Sequence, residues 1–233
     1  MDFSELSIEQ LNSYRDFLLE LLTPRRKELL LEKIAHRTRY LSVVVENIFQ
    51  PHNTSAVIRS CDCFGVQDLH VIENKNTYKV NPDIVLGANR WINISQYPNA
   101  EDTTRQCILG LKNKGYKIVA TTPHLDSFTP ETLPVDHKIA LVFGAEVEGI
   151  SRDVSELADY SLRIPMVGFT ESLNISVSAA ICLYSMSQRI RNDEINWRLD
   201  AREQAEVLIK WAKINLRRPE IIENAYFSDR NKA

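Results

Sequence analysis

Three segments of the sequence place small, polar and charged residues directly after a candidate β-strand. They cover residues 51–59, 143–151 and 164–180, and their side chains include amides, carboxylates, hydroxyls and an arginine. In open parallel sheets, ligands bind beyond the carboxyl ends of the strands. The three segments would meet at that edge, so they predict a site for a polar ligand.

The first segment offers Asn53 and Arg59. Asn53 is expected to cap the following helix, because an asparagine side chain accepts hydrogen bonds from free backbone N–H groups. Arg59 lies about 600° further around the helix at roughly 100° per residue, so it is displaced by about 120° and could face a neighbouring loop or subunit. A single helical arginine is usually a surface residue, so Arg59 is compatible with a functional role and with a plain surface position.

The second segment contains Gly144 and Gly149, whose spacing resembles that of a phosphate-binding loop. Ile150-Ser151 stands where such a loop requires Lys followed by Ser or Thr, which argues against a nucleotide triphosphatase. The sequence also lacks GxGxxG, the usual dinucleotide fingerprint. Tight turning at positive φ explains the glycines equally well.

The third segment runs from a strand end at Pro165 to Ser172-Leu173-Asn174, where a long helix would begin. Backbone N–H groups at such a helix start are available to a polar group. The small residues at 176–180 are also compatible with ordinary core packing.

Alternating β-branched and helical stretches predict the elements that position these segments. Strands are expected at 41–48, 68–72, 91–96, 116–121, 139–143 and 160–164. Helices are expected at 54–64, 102–114, 152–158 and 173–191. This alternation predicts an α/β fold, a parallel sheet with helices on both faces. Gly65 and Gly115 are placed to end two of the helices.

Helical extensions are expected on both sides of this core. The N-terminal one contains a helix opening at Thr23-Pro24, and the C-terminal one contains a helix from 200 to 216 that Pro219 would stop. The predicted organisation is a helical arm over 1–40, a core over 41–191 and a helical tail over 192–233.

The composition limits the class of protein. Hydrophobic residues make up 44% and charged residues 25%, which is typical of a globular chain. No stretch approaches the roughly 20 apolar residues that span a bilayer, so we expect a cytoplasmic protein without membrane association. The four cysteines lack CxxC spacing and a His pair, so neither a zinc site nor a disulfide framework is expected.

The net charge of −3 does not favour a chain coated in basic residues, the usual footprint of nucleic-acid binding. Local clusters could still contact phosphates, or could be solvated helix faces. The candidates are Arg25, Arg26, Arg37, Arg39, Arg217 and Arg218.

In this order, the three segments resemble the motifs of the SpoU branch of the SPOUT methyltransferases. The matching residues are Asn53-x5-Arg59, Phe143-Gly144-x-Glu146-x-x-Gly149, and Ile164-Pro165-Met166 through Ser172-Leu173-Asn174-x-Ser176. Each motif is weak alone, but the ordered set is highly specific. The resemblance covers roughly 41–191, and the stretch from Gln50 is similar to the TrmH-type tRNA guanosine 2′-O-methyltransferases.

This resemblance implies a deep trefoil knot in the C-terminal part of the core, a feature that is nearly absent from other proteins. It also implies a homodimer with its active site near the subunit interface. S-adenosyl-L-methionine would bind at Thr121, Thr122, Pro123, Phe143, Gly144, Gly149, Ile164, Met166, Ser172 and Leu173.

The implied reaction is displacement at the sulfonium methyl by a ribose 2′-hydroxyl, a poor nucleophile until its proton is withdrawn or its developing charge is stabilised. Arg59 matches the residue given that role, either as base or as a clamp on phosphate and alkoxide. Asn53 would orient the arginine and the ribose. Glu146, Ser172 and Asn174 match the polar partners.

The helical extensions favour transfer RNA as the partner, with the D-loop guanosine at position 18 as target. Methylation of rRNA or of another tRNA position is the alternative within this chemistry. A non-catalytic knotted RNA-binding protein is the alternative outside it.

Overall fold

The computed structural model describes residues 3–74, 81–123 and 127–230. The chain divides into two compact units, Thr38–Trp197 and a second unit formed by Met1–Arg37 with Arg198–Ala233. The α-helices are α1 (Ile8–Glu20), α2 (Pro24–Ile34), α3 (Pro51–Cys63), α4 (Pro82–Val85), α5 (Thr103–Asn113), α6 (Arg152–Leu157), α7 (Ile175–Asn192), α8 (Ala201–Asn215) and α9 (Pro219–Arg230). Across these described ranges, no helix is both long and apolar enough to span a bilayer.

The larger unit is built on a six-stranded sheet with the order β3-β2-β1-β5-β4-β6. Its strands are β1 (Leu41–Glu46), β2 (Asp68–Ile72), β3 (Asn93–Tyr97), β4 (Tyr116–Thr121), β5 (Lys138–Phe143) and β6 (Tyr160–Leu162). All neighbouring strands pair in parallel. The strand order reverses between β1 and β5, and ligands of such sheets bind at this reversal.

Both faces of the sheet are covered by helices, as the sequence predicts. Side chains alternate between the faces of a strand. Val43 therefore packs in the same core as Val57 of α3 and Leu183 of α7. Val44 faces the other way and packs with Ile108 of α5. Every residue of β1 is buried, which explains its apolar run of valines at 43–45.

The predicted elements are confirmed to within a few residues, including the two glycines at helix ends. Gly65 and Gly115 follow α3 and α5 with φ of 77° and 83°. The expectation that Asn53 caps α3 is wrong. The helix begins at Pro51, whose fixed φ suits the first helical position, and Gln50 occupies the N-cap position without a side-chain cap hydrogen bond. Asn53 therefore lies inside the first turn.

The smaller unit joins both ends of the chain. Helices α1 and α2 each contact α8, so the arm and the tail expected as separate extensions pack as one body. Pro219 does not only follow α8, as expected, but begins α9, again as the first residue of a helix. Capping boxes start α1 at Ser7 with Gln10 and α8 at Asp200 with Glu203.

Candidate active site

A cavity of about 740 Å³ lies at the carboxyl ends of the strands. Its walls come from residues that follow β1, β4, β5 and β6 and from the start of α7. Pockets of roughly 300–1,000 Å³ hold small-molecule ligands and cofactors. The cavity includes the reversal point between β1 and β5, so topology and size both mark it as a ligand site.

The structure brings almost all of the predicted site residues to this cavity. Every residue that the family resemblance assigns to the cofactor lines it. Asn53, Glu146, Ser172 and Asn174 also line it, whereas Arg59 does not. The three sequence segments thus converge on one cavity, and only the arginine is left outside it.

A chain of hydrogen bonds connects the three segments at the cavity. Asn53 donates from Nδ2 to Oε1 of Glu146 at 2.7 Å and accepts at Oδ1 from Asn174 Nδ2 at 3.1 Å. Asn174 caps α7 by accepting from the backbone N–H of Ser176 at 2.9 Å. Because Asn53 is 2% exposed, its amide is committed to these partners in one orientation.

The Glu146 carboxylate is stabilised in its charged form. Burial raises the pKa of this group, but the hydrogen bonds from Asn53 and from backbone N–H groups, including that of Phe49, outweigh burial and lower it overall. The Phe49 N–H donates to Oε2 of Glu146 at 3.2 Å. An ionised carboxylate only accepts hydrogen bonds, so it fixes Asn53 with its amide nitrogen toward Glu146.

The loop that carries Glu146 folds back tightly on itself. Ala145 and Gly149 exchange two backbone hydrogen bonds of 2.9 Å, and Gly149 has a φ of 70°. A Cβ atom on Gly144 would lie 2.1 Å from the Gly149 carbonyl carbon and 2.3 Å from the nitrogen of Ile150. Position 144 therefore admits only glycine, because the chain itself occupies the space of a side chain.

Glu46, which the sequence motifs do not include, anchors the end of this loop at Ser151. The side chain is 2% exposed at the end of β1. One carboxylate oxygen accepts from the backbone N–H of Ser151 at 2.9 Å, and the other accepts from the Thr104 hydroxyl at 2.8 Å. A charged residue at the end of an otherwise apolar strand was the available signal, since buried carboxylates require partners.

Arg59 lies on the exposed side of α3, away from the buried Asn53. Within the part of the chain that the structure describes, its guanidinium has no hydrogen bond or ion pair. One subunit therefore assembles the amide and carboxylate groups but not the arginine.

The basic residues proposed for RNA contact fall into two groups. Arg25, Arg26, Arg217 and Arg218 are exposed. Arg37 is 6% exposed and its guanidinium lies 5.1 Å from the centre of the Trp211 ring. Burial and cation–π packing against Trp211 do not favour a phosphate-binding role for Arg37. Arg39 is also engaged, with its Nε 3.0 Å from Oδ2 of Asp68.

Comparisons with known proteins agree with this geometry. The model of the SpoU rRNA Methylase family matches residues 40–184. The tRNA (guanosine(18)-2′-O)-methyltransferase of Borreliella burgdorferi is 40% identical over 207 residues, which cover 89% of this chain and 93% of that protein. The protein of the same name from Thermus thermophilus is 31% identical over 193 residues, covering 82% and 97%.

A solved structure extends the similarity to three dimensions. The TrmH/SpoU tRNA modifying enzyme of A. aeolicus superposes with a TM-score of 0.73 at 33% identity, covering 86% of this chain and all of that one. The shared fold, the extent of the match and the convergence of the three motifs on one cavity lead to the same conclusion. The chain belongs to the SpoU methylase family.

Proposed function

We propose that this protein transfers a methyl group from S-adenosyl-L-methionine to the ribose 2′-hydroxyl of guanosine 18 in the D-loop of tRNA. The observation that carries the proposal is the hydrogen-bonded chain Glu146–Asn53–Asn174, which joins the three family motifs at the cavity edge. The names of the relatives that match nearly the whole chain support the choice of nucleotide.

The cavity fits the proposed cofactor in size and in lining. Ile164, Met166 and Leu173 supply apolar surface for an adenine ring. The close approach of Gly144 to Gly149 leaves main chain instead of side chain at the wall, which suits hydrogen bonding of a base by backbone groups. When bound, S-adenosylmethionine supplies the electrophilic methyl group.

The protein's own groups would orient and activate the ribose. Asn53 is held by Glu146 and Asn174, so the elements around the site are preorganised and would orient the ribose without reorganisation during the reaction. Arg59 would contact the substrate phosphate and stabilise the developing alkoxide. Guanidinium groups keep their proton firmly at neutral pH, which favours this clamp over a base.

A homodimer accounts for the position of Arg59. Its exposed guanidinium lies on α3, outside the cavity of its own chain. The neighbouring helix α7 exposes Val177, Ile181 and Tyr184 at helical spacing, an apolar face that a second copy could cover. In the proposed dimer, Arg59 of one subunit completes the site of the other. By the same family likeness, the segment that builds the cofactor wall would form a trefoil knot.

Transfer RNA would be held by the exposed arginines of the helical unit. Arg25, Arg26, Arg217 and Arg218 can neutralise phosphates, and such contacts weaken as salt concentration rises. The overall acidic chain would then bind RNA through local basic surface, and the cytoplasm is where it would meet its substrate.

The test is transfer of a radiolabelled methyl group to unmodified tRNA transcripts, followed by nuclease mapping. A transcript with 2′-deoxyguanosine at position 18 is the matched control, since it differs only in the reacting hydroxyl. We expect label at guanosine 18 of the ribose transcript and none in the control. Label elsewhere in tRNA or in rRNA would replace the target, and cofactor binding without transfer would support the non-catalytic alternative.

A further inference from the structure

Arg163 and Glu171 are two oppositely charged residues that line the candidate cavity. Arg163 follows the last residue of β6, and Glu171 precedes Ser172 in the loop that leads to α7. Both residues are exposed. Within residues 3–74, 81–123 and 127–230, neither side chain forms a hydrogen bond or ion pair, with each other or with any neighbour.

Glu146, the carboxylate at the cavity edge that the proposed mechanism uses, already has hydrogen-bond partners. Glu146 accepts from Asn53 and from the backbone of Phe49. Glu171 therefore supplies a negative charge that is free for a ligand, and Arg163 supplies a free positive charge. A ligand that carries one group of each sign within a few bonds would satisfy both.

The amino-acid end of the proposed cofactor is such a group. It carries an α-ammonium and an α-carboxylate on the same carbon atom. The flat guanidinium of an arginine pairs with a carboxylate through two parallel hydrogen bonds, and a glutamate accepts from an ammonium. The apolar lining at Ile164 and Leu173 suits the adenine, and Arg163 and Glu171 line the same cavity and can serve the charged end of the molecule.

We propose that Glu171 and Arg163 bind the amino-acid end of S-adenosylmethionine, Glu171 through its α-ammonium and Arg163 through its α-carboxylate. The inference rests on the proposed function, because it takes this cofactor as the ligand. It assigns two specificity-determining residues to which the family resemblance gives no role. It also implies that the demethylated product S-adenosylhomocysteine, which has the same amino-acid end, is held by the same two residues.

Direct binding to four related molecules tests this assignment. Isothermal titration calorimetry on the full chain would use S-adenosylmethionine, S-adenosylhomocysteine, decarboxylated S-adenosylmethionine and 5′-methylthioadenosine. The third lacks the carboxylate, and the last lacks the whole amino-acid end. Glu171→Gln and Arg163→Gln remove one charge each, and Glu101→Gln removes an exposed charge outside the cavity lining as a matched control.

S-adenosylmethionine and S-adenosylhomocysteine should respond to both cavity variants, decarboxylated S-adenosylmethionine to one, and 5′-methylthioadenosine to neither. Glu171→Gln should weaken the three ligands that carry the ammonium by about three- to tenfold, the range expected for a partly solvated ion pair, and leave 5′-methylthioadenosine unchanged. Arg163→Gln should weaken S-adenosylmethionine and S-adenosylhomocysteine to a similar extent, but neither of the other two. Glu101→Gln should change no affinity.

Three results would overturn the assignment. Equal weakening of 5′-methylthioadenosine would mean that the variants deform the cavity. Weakening of S-adenosylmethionine without S-adenosylhomocysteine would place Glu171 at the sulfonium instead. Unchanged affinity for S-adenosylmethionine in either variant would mean that its charge is only solvated. Failure of the unmodified protein to bind any of the four would refute the proposed function, a result distinct from all of these. Matching thermal denaturation midpoints would exclude misfolding.

Discussion

Asn174 donates from its Nδ2 atom to Oδ1 of Asn53 at 3.1 Å, although the two residues are 121 positions apart in the chain. Asn53 in turn donates to Glu146. These hydrogen bonds fix the first turn of α3, the loop after β5 and the cap of α7 relative to one another. Asn53 is thus the shared hydrogen-bond partner of the other two motifs.

Replacing Asn53 by alanine should lower the methyl-transfer rate about tenfold to a hundredfold while the protein remains folded. The change leaves Glu146 and Asn174 without their common partner, which costs about 1–3 kcal/mol per unsatisfied polar group when the site is desolvated. Single-turnover rates on tRNA would measure the effect, with circular dichroism to confirm folding. A variant with an unaltered rate would remove the hydrogen-bonded chain Glu146–Asn53–Asn174 from catalysis.

Gly144→Ala should abolish binding of S-adenosylmethionine, because the new Cβ would overlap the Gly149 main chain at 2.1 Å. Gly110→Ala is the matched control. Position 110 lies in α5, with no side chain or distant main chain within 4 Å of an added Cβ, so alanine there should raise the free energy of unfolding by about 0.5–1 kcal/mol. Calorimetric binding and thermal denaturation would test the pair, and retained cofactor affinity in Gly144→Ala would contradict the described loop.

Arg59→Ala should keep the fold and the cofactor affinity but lose nearly all methyl transfer. The side chain is exposed and makes no hydrogen bond or ion pair with other described residues, so its removal costs little stability. Wild-type-like turnover would exclude Arg59 from the mechanism. Partial activity of Arg59→Lys would agree with a charge that clamps phosphate.

Mixing two inactive variants would show whether Arg59 acts across the proposed dimer. If it does, a mixed dimer of Arg59→Ala and Gly144→Ala subunits has one intact site, made of the first subunit's cavity and the second subunit's arginine. Random exchange should then restore about a quarter of the wild-type activity. If Arg59 serves its own cavity, the mixture should remain inactive.

Glu146 should make stability depend on pH in the acidic range. Its pKa in the folded protein lies below the ordinary value of 4.5, so folding favours the ionised form. The resulting stabilisation is present above pH 4.5 and is lost as the pH falls through the lowered pKa. Thermal denaturation from neutral to acidic pH should show a smaller gap between Glu146→Gln and the unmodified protein at low pH. A gap that widens on acidification would reverse the assigned direction.

Arg37 and Arg25 should respond to substitution in opposite ways. Arg37→Ala should lower the free energy of unfolding by about 1 kcal/mol or more, because the side chain is buried against Trp211. Arg25→Ala should leave stability unchanged and weaken tRNA binding, with a shallower dependence of affinity on salt. Chemical denaturation and filter binding at several salt concentrations separate the two effects.

Much of the fold could be read from local pattern. The apolar run of β1 and the glycines at 65 and 115 fix where elements begin and end, because hydrophobic period and allowed φ values are properties of a few neighbouring residues. The position of the three segments after candidate strands also predicted that they meet at one edge of the sheet, because the carboxyl ends of parallel strands lie there.

The sequence by itself thus determined the α/β class and the elements to within a few residues, and its family resemblance named many residues that line the cavity. Only the tertiary structure decided the strand order, the union of the two chain ends in one helical unit and the partners of individual side chains. Asn53 suits a helix cap in isolation, but it binds Glu146 across 93 residues. Arg37 carries the positive charge that binds phosphates, but its guanidinium packs over the Trp211 ring. Such outcomes depend on which residues, distant in the chain, tertiary packing brings together. The local periodicity of the sequence does not encode those contacts.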